Sequence, residues 1–286
     1  KMGRERVSRT SRPGEDDVTD ESAVRDMRGR HRGAGRSPLA ELAETCGVST
    51  EYFDWHGRHV EVPQATVSAV LSALGSPANQ NFISNAGFIV TSTSVVVVDA
   101  LGSPALAERL LAEIARVTDK PVSHVIVTHY HADHVYGLQV FADRGIPILA
   151  HQAGREYLHA DTARLRLQAS REELAPWIND KTRLVPATQW VDGRQELTVG
   201  DTQLVLQPVG PAHTPEDLAV YLPQRKVLYA GDLVFRSRIP FVGQADSRSW
   251  ILSLDKLLAF DTRVIVPGHG PVSTQARQDM QLTRDY

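Results

Sequence analysis

The chain has 286 residues, 42% hydrophobic and 23% charged, a balance too apolar for a disordered chain and too interrupted for a membrane protein. Its 31 Lys and Arg against 34 Asp and Glu leave a net charge of −3, which disfavours a dedicated nucleic-acid binder. Cys46 is the single cysteine, so an internal disulfide, a thiolate metal cluster and C-x-x-C redox chemistry are excluded, and any metal is left to histidine and carboxylate.

Residues Lys1 to Arg36 carry ten Lys or Arg and seven Asp or Glu with almost no large apolar side chains, and read as a solvated, charged tail. The start, KMGRERVSRTSRPGEDD, lacks the apolar stretch of a secretory signal, and runs such as Val95–Val98 are strand-sized, too short to cross a membrane. As written the chain is expected in the cytoplasm, with a periplasmic setting if a native N-terminus has been replaced.

Residues 37–78 change character. Leu39 and Leu42 lie on one short helical pattern, and Val67, Val70, Leu71 and Leu74 on a second that stops at Gly75. Tyr52, Phe53 and Trp55 between them are expected to pin the two helices, giving a small helical accessory module that docks elsewhere or supports a homo-oligomer. The stretch LAELAETCGVSTEYFDWHGRHVEVPQATVSAVLSALG resembles the N-terminal region of bacterial 4-alpha-glucanotransferases (amylomaltases). The barrel that carries the glucan chemistry of that family has no counterpart downstream, so the resemblance implies no catalytic residue here.

From Asn81 onward strands alternate with helices. Phe88–Val90 and Val95–Val98 read as strands, followed by a helix with Leu106, Leu110, Leu111, Ile114 and Val117 on one side. Val122–Thr128 reads as a buried strand, and others are expected at Ile148–Ala150, Leu204–Gln207, Leu218–Leu222, Val227–Ala230 and Val264–Val266. A charged helical stretch between Glu156 and Asp180 is expected to roof the site.

The chemistry concentrates after Thr128, in His129-Tyr130-His131-Ala132-Asp133-His134. Side chains at i and i+2 of an extended chain point the same way, so His129 and His131 can grip one ion, and after a turn Asp133 and His134 reach a second. Imidazole and carboxylate without thiolate suit zinc, with iron or manganese as substitutes. Three more candidates stand at strand ends: His213, Asp232 after Ala230-Gly231, and His269 between two glycines that permit sharp turns.

The order H-x-H-x-D-H, then H, D and H resembles that of the metallo-β-lactamase superfamily, over residues 81–286. That resemblance implies an αββα sandwich with two metals in a cleft at one edge of its sheets. It implies that His129, His131 and His213 hold the first metal, that Asp133, His134 and His269 hold the second, and that Asp232 bridges them. A hydroxide held between two Zn2+ ions would be the nucleophile, with Asp133 as the catalytic residue that orients it and shuttles a proton. Asp99, in the position of the family's first short motif, would support a ligand histidine, with Thr128 and Thr214 as lesser candidates. His31, His56, His59, His124, His151 and His159 match no ligand position, His151 being the one nearest a strand end. Tyr157 and Trp177 either line the pocket or pack under the helical insert.

Zinc β-lactamases of this superfamily generally carry Cys or Ser where Asp232 stands, whereas the bridging aspartate resembles glyoxalase-II-like thioesterases and lactonases. Phrases such as YHADHVYGLQVF and GPAHTPEDLAVYLP look like stand-alone bacterial metallohydrolases. The expectation is a dinuclear zinc hydrolase of a small ester, thioester, lactone or β-lactam. The alternatives are a phosphodiesterase or nuclease, for which Arg236, Arg238 and Arg248 would line the cleft, and a non-catalytic scaffold.

Overall fold

Four consecutive valines, Val95–Val98, form a strand in which every side chain is buried. In the computed structural model, which describes residues 84–286 except Gln244 and the backbone of two short strands before them, the alternate valines enter two different cores. Val95 and Val97 face helices, and Val96 and Val98 face a second sheet. A strand covered on both sides is apolar throughout instead of alternating.

The chain divides into two compact units, Lys1–Leu71 and Ser72–Tyr286. The described part of the first is a two-stranded antiparallel ladder of β1 (Glu51–Phe53) and β2 (His59–Glu61), with Tyr52 opposite Val60. Tyr52, Phe53 and Val60 are strand-forming types. The charged tail, the two helical patterns and most of the segment resembling amylomaltases lie outside the described residues.

The second unit holds two five-stranded sheets. In the first, β3 (Gly87–Val90) pairs antiparallel with β4 (Val95–Val98), and β5 (Val122–Ile126), β6 (Ile148–His151) and β7 (Gln189–Val191) follow in parallel. In the second, β8 (Gln195–Val199), β9 (Thr202–Pro208), β10 (Leu218–Leu222) and β11 (Val227–Phe235) run antiparallel, and β12 (Val264–His269) adds in parallel to β11.

Ile126, Leu149, Leu204, Leu206, Leu218 and Val220 interdigitate between the sheets. Their strand neighbours Val125, Ile148 and Ala150, and on the other side Val205, Ala219 and Tyr221, face outward into helix-covered cores. The period-2 alternation of side chains thus builds an αββα sandwich from a single pattern.

The helix after β4, α1 (Pro104–Val117), starts where Ser103 Oγ accepts the Leu106 N–H and Pro104 occupies the first turn. Ala107 and Ile114 are buried, but Val117, expected on the same side, is 63% exposed because the helix ends there. The remaining helices are α2 (Ala132–Val135), α3 (Leu138–Ala142), α4 (Gly154–His159), α5 (Asp161–Glu173), α6 (Ser247–Leu258) and α7 (Ala276–Asp285). The charged stretch expected as one helical roof is two helices, broken at Ala160, whose backbone is extended. Among the described residues, no helix is long and apolar enough to cross a membrane.

Candidate metal centre

Chain ends of both sheets deliver the site. The strand β5 stops at Ile126, so Val127 and Thr128 lead out of the sheet and His129 leaves its edge, while His131 caps α2, which carries Asp133 and His134. Asp232 lies within β11 rather than after it, because that strand continues to Phe235. His269 is the last residue of β12, and His213 sits in the loop between β9 and β10.

Glycine makes this convergence sterically feasible. A Cβ on Gly268 would collide with the Asp232 carboxylate, and Gly231, at φ +54°, lies against Thr128. Asn85 pins the turn around His269: its side-chain amide donates to Pro267 O at 2.8 Å and to Gly270 O at 2.7 Å.

The side chains form two groups, His129, His131, His213 and Asp232, and then Asp133, His134 and His269, with the potential ligand atoms of each group within 4.8 Å of one another. Asp232 reaches both. Its Oδ2 lies 3.3 Å from His213 Nε2 and 3.2 Å from His269 Nε2, and its Oδ1 is 3.2 Å from His134 Nε2. Asp133 Oδ2 is 3.2 Å from His269 Nε2. The structure therefore brings together all seven residues singled out in the sequence. His124, His151 and His159 stand outside both groups.

Partners behind the rings select the tautomers. His134 Nδ1 donates to Asp99 Oδ2 at 2.8 Å, and His213 Nδ1 donates to Phe241 O at 3.0 Å, leaving each Nε2 lone pair facing the cluster. Thr128 Oγ1 donates to Asp99 Oδ2 at 2.8 Å and accepts from His129 Nδ1 at 3.1 Å, with the same result for His129. Asp99 also accepts the Thr128 N–H at 2.8 Å, and its own backbone sits at φ 61°, a left-handed conformation that Asp tolerates better than most residues. The Thr214 N–H and hydroxyl both donate to Asp217, which fixes the turn that presents His213.

A divalent ion fits this donor set. His129 Nε2, His134 Nε2 and Asp232 Oδ1 are buried without a hydrogen-bond partner, an arrangement that costs about 1–3 kcal/mol for each group unless something else satisfies it. His131 Nδ1 and His213 Nε2 stand 2.9 Å apart, and because His213 Nδ1 carries that ring's proton, a lone pair faces His131. Ligands about 2.0–2.1 Å from one tetrahedral ion stand roughly 3.3 Å from each other, which is the scale of the separations here.

The electrostatics divide the cluster. Burial pushes His129 well below its ordinary value, lowers His131 and takes His213 to about 4, so these rings are neutral, the form that binds metal. Burial opposes charge on His134 too, but Asp133, Asp232 and Asp99 outweigh it and raise that ring well above its usual value. Burial would likewise raise Asp133 and Asp232, yet the facing histidines hold both carboxylates down. Against burial, hydrogen bonds to Asp133 and Asp232 raise His269 to about 9. Arg238 Nη1, 2.9 Å from His269 Nδ1, sets a limit of its own: a nitrogen that accepts from a guanidinium carries no proton. A neutral His269 ligating through Nε2 needs its proton on Nδ1, so that ligation and the Arg238 contact exclude each other.

The cluster opens into a cavity of about 450 Å³ lined by His131, Asp133, Asp232 and His269, by Tyr157, Thr162 and Arg166 of the α4–α5 insert, and by Phe235, Arg238, Ile239 and Phe241. Tyr157 reaches the cavity, whereas Trp177 does not. Of the arginines expected in a phosphodiesterase cleft, only Arg238 lines it. Arg236 is turned away to Asp279 at 3.0 Å, and Arg248 lies on α6 outside the cavity. Arg166, Asn85 and the Phe241 carbonyl carried no signal in the sequence.

An αββα sandwich with clustered histidines and aspartates at one sheet edge defines a metal-site fold of the hydrolase type. Residues 80–269, well over half of the chain, match the metallo-beta-lactamase superfamily, and the chain belongs to it. It is 26% identical over 230 residues to the linear primary-alkylsulfatase of Pseudomonas sp. (strain ATCC 19151), covering 67% of this chain and 43% of that one. It is 29% identical over 194 residues to a metallo-beta-lactamase type 2 of Bacillus sp. (strain 170), covering 66% and 67%. The chain thus spans less than half the length of the alkylsulfatase. Among solved structures, metallo-beta-lactamase IND-7 superposes with a TM-score of 0.57 at 22% identity over 71% of this chain and 84% of that one. The metallo-beta-lactamase from Pontibacter korlensis gives 0.53 at 24% identity over 69% and 84%. These likenesses establish the fold. These curated relatives are an alkylsulfatase and a metallo-beta-lactamase.

Proposed function

We propose that this protein is a dinuclear zinc hydrolase that cleaves a small ester, thioester, lactone or β-lactam. The observation that carries the reading is Asp232, whose two oxygens reach histidines of both groups and so join two donor sets into one centre. His129, His131 and His213 would hold one ion, Asp133, His134 and His269 the other, and Asp232 both. Bound divalent zinc supplies an ionised water at neutral pH and a Lewis acid for the acyl oxygen.

The chain's own residues do the rest. Asp99 and the Phe241 carbonyl keep His134 and His213 in one tautomer and one orientation. Asp133, the more exposed of the two cluster carboxylates at 15%, is held ionised by its histidine neighbours and borders the cavity. In this reading the Asp133 carboxylate would accept a proton from the attacking water and return it to the leaving group. Phe235, Phe241 and Tyr157 exclude water from one side of the substrate. A phosphodiester reading loses support because Arg236 is occupied by Asp279.

Mass spectrometry of protein dialysed against zinc, with a screen of nitrocefin, a thioester, a lactone and bis-p-nitrophenyl phosphate, tests the reading. The expected result is two zinc ions per chain and turnover of a carbonyl substrate. Turnover of the phosphodiester alone would move the assignment to the phosphodiesterase branch, and protein that holds no metal and turns over nothing would sink it.

A further inference from the structure

Away from the metal centre, three arginines line a groove of about 370 Å³. Arg164 and Arg171 come from α5 with Gln168 between them, Arg183 comes from the chain that leads on to β7, and Leu167 and Leu184 supply an apolar floor. No carboxylate among the described residues lines it. Arg164, Gln168 and Arg171 share one side of the helix, whereas Thr162 and Arg166, which border the metal cavity, lie about half a turn away. The groove is therefore separate from the metal cavity, with α5 between them.

Its walls are fixed by hydrogen bonds within the chain. Arg171 is tied to the 179–182 segment, donating through Nε to Asn179 O at 3.1 Å and through Nη2 to Thr182 O at 2.8 Å. Gln139 Oε1 accepts the Arg183 N–H at 3.0 Å, and Asp143 accepts from the Arg183 guanidinium at 2.6 Å. A guanidinium has five N–H donors, so Arg171 and Arg183 retain unused ones. Arg171 meets no carboxylate among the described residues. Arg164 meets Asp161 at 3.2 Å in a pair whose side chains are 67% and 86% exposed, a kind that contributes little.

We propose that this groove is a second ligand site, which binds a small phosphate monoester through Arg164, Arg171 and Arg183. Three like charges around one groove repel one another, and an anion among them reverses that cost. A carboxylate presents one edge, which a single guanidinium fork fills. A phosphoryl group presents three oxygens and about two negative charges at neutral pH, so it takes donors from both walls at once. Arg164 and Arg171 supply them from α5 and Arg183 from the opposite segment, while the Gln168 amide adds a neutral donor. Leu167 and Leu184 receive the carbon portion of the ester, and a groove of this size accommodates a small molecule. Because Arg171 and Arg183 are already held in place, little ordering opposes binding.

The test is calorimetric titration of the full chain with glycerol 3-phosphate, and with glycerol as its uncharged counterpart, first stripped of metal and then loaded with zinc. Stripping removes any phosphate held by a metal ion and leaves the groove intact. The expected result is one saturable site for glycerol 3-phosphate on the metal-free chain that persists after zinc loading, no binding of glycerol, and movement of the Gln168 and Leu184 amide resonances on titration. Arg164→Ala and Arg183→Ala each weaken the affinity by about tenfold, the size of one charge-assisted contact. Arg284→Ala, whose arginine pairs with Asp255 between α6 and α7, leaves it unchanged. Asp143→Asn releases Arg183 and strengthens binding by about threefold, the size of one exposed ion pair, a gain that a merely structural Arg183 would not give. Absence of saturable binding to the metal-free chain, or an affinity that the arginine variants leave unaltered, would overturn the site. Neither result bears on ester turnover, so the hydrolase reading stands or falls separately.

Discussion

Replacing Asp99 by asparagine changes one atom of a buried hydrogen-bond junction that meets the metal centre directly at His134 and, through the Thr128 hydroxyl, at His129. In the wild type Asp99 Oδ1 accepts the Thr128 N–H, and Oδ2 accepts both the Thr128 hydroxyl and His134 Nδ1–H, each at 2.8 Å. Asparagine tolerates the left-handed backbone at this position and can keep its oxygen on the Thr128 N–H. Its Nδ2 then stands where Oδ2 was, a donor facing a donor. His134 must surrender the Nδ1 proton and carry it on Nε2, the atom directed at Asp232 and the cluster. A ring protonated there cannot ligate. Loss of such an outer partner weakens metal affinity by about 10–100-fold, or about 1.4–2.8 kcal/mol. Zinc competition against a chelating dye measures the loss, and the nitrogen chemical shifts of His134 report the tautomer. An affinity within about twofold of wild type, with the Nδ1–H form retained, would refute the argument, since both the size and the direction follow from that single hydrogen bond.

Three other perturbations probe separate parts of the molecule. Asp232→Ala is expected to lower zinc content and abolish hydrolysis together, read by mass spectrometry and by turnover on one sample; hydrolysis surviving with both ions retained would remove the bridging role. Gly268→Ala drives a methyl group into the Asp232 carboxylate and the Gly231 backbone, so unfolding in urea should show a loss on the order of 1–3 kcal/mol even without metal. Glu216 is buried, and burial raises its carboxyl above the ordinary value, so the folded protein binds more protons than the unfolded chain in the window between the two. Its contribution is present at low pH and is lost as pH rises through the raised value. Glu216→Gln keeps an acceptor for the Tyr130 N–H while removing that loss, so wild type and variant should diverge in urea stability as pH rises above the ordinary carboxylate range. Parallel curves would show that Glu216 does not titrate in that window.

The sequence by itself determined the sandwich and the identity of the donors. Val95–Val98, Leu204–Leu206 and Leu218–Leu222 specify strands buried on two faces, because alternation along a strand is a property of neighbouring residues. The run from His129 to His134 likewise announces metal chemistry from adjacent positions. Where a local period runs to the end of an element, the sequence misleads: Val117 matches the apolar period yet ends its helix in solvent. Only the tertiary structure decided which atoms meet across the sheets. Asp99 and His134 are 35 residues apart, and His213 finds its acceptor on Phe241, 28 residues on, through a backbone carbonyl that no side-chain pattern encodes. Arg238 is among the three arginines expected at the cleft, but Arg166 is indistinguishable in sequence from those spent on surface ion pairs. What brings both to one opening is the path of α5 and of the chain after β11, and such long-range placement depends on packing of whole elements rather than on periodicity within any of them.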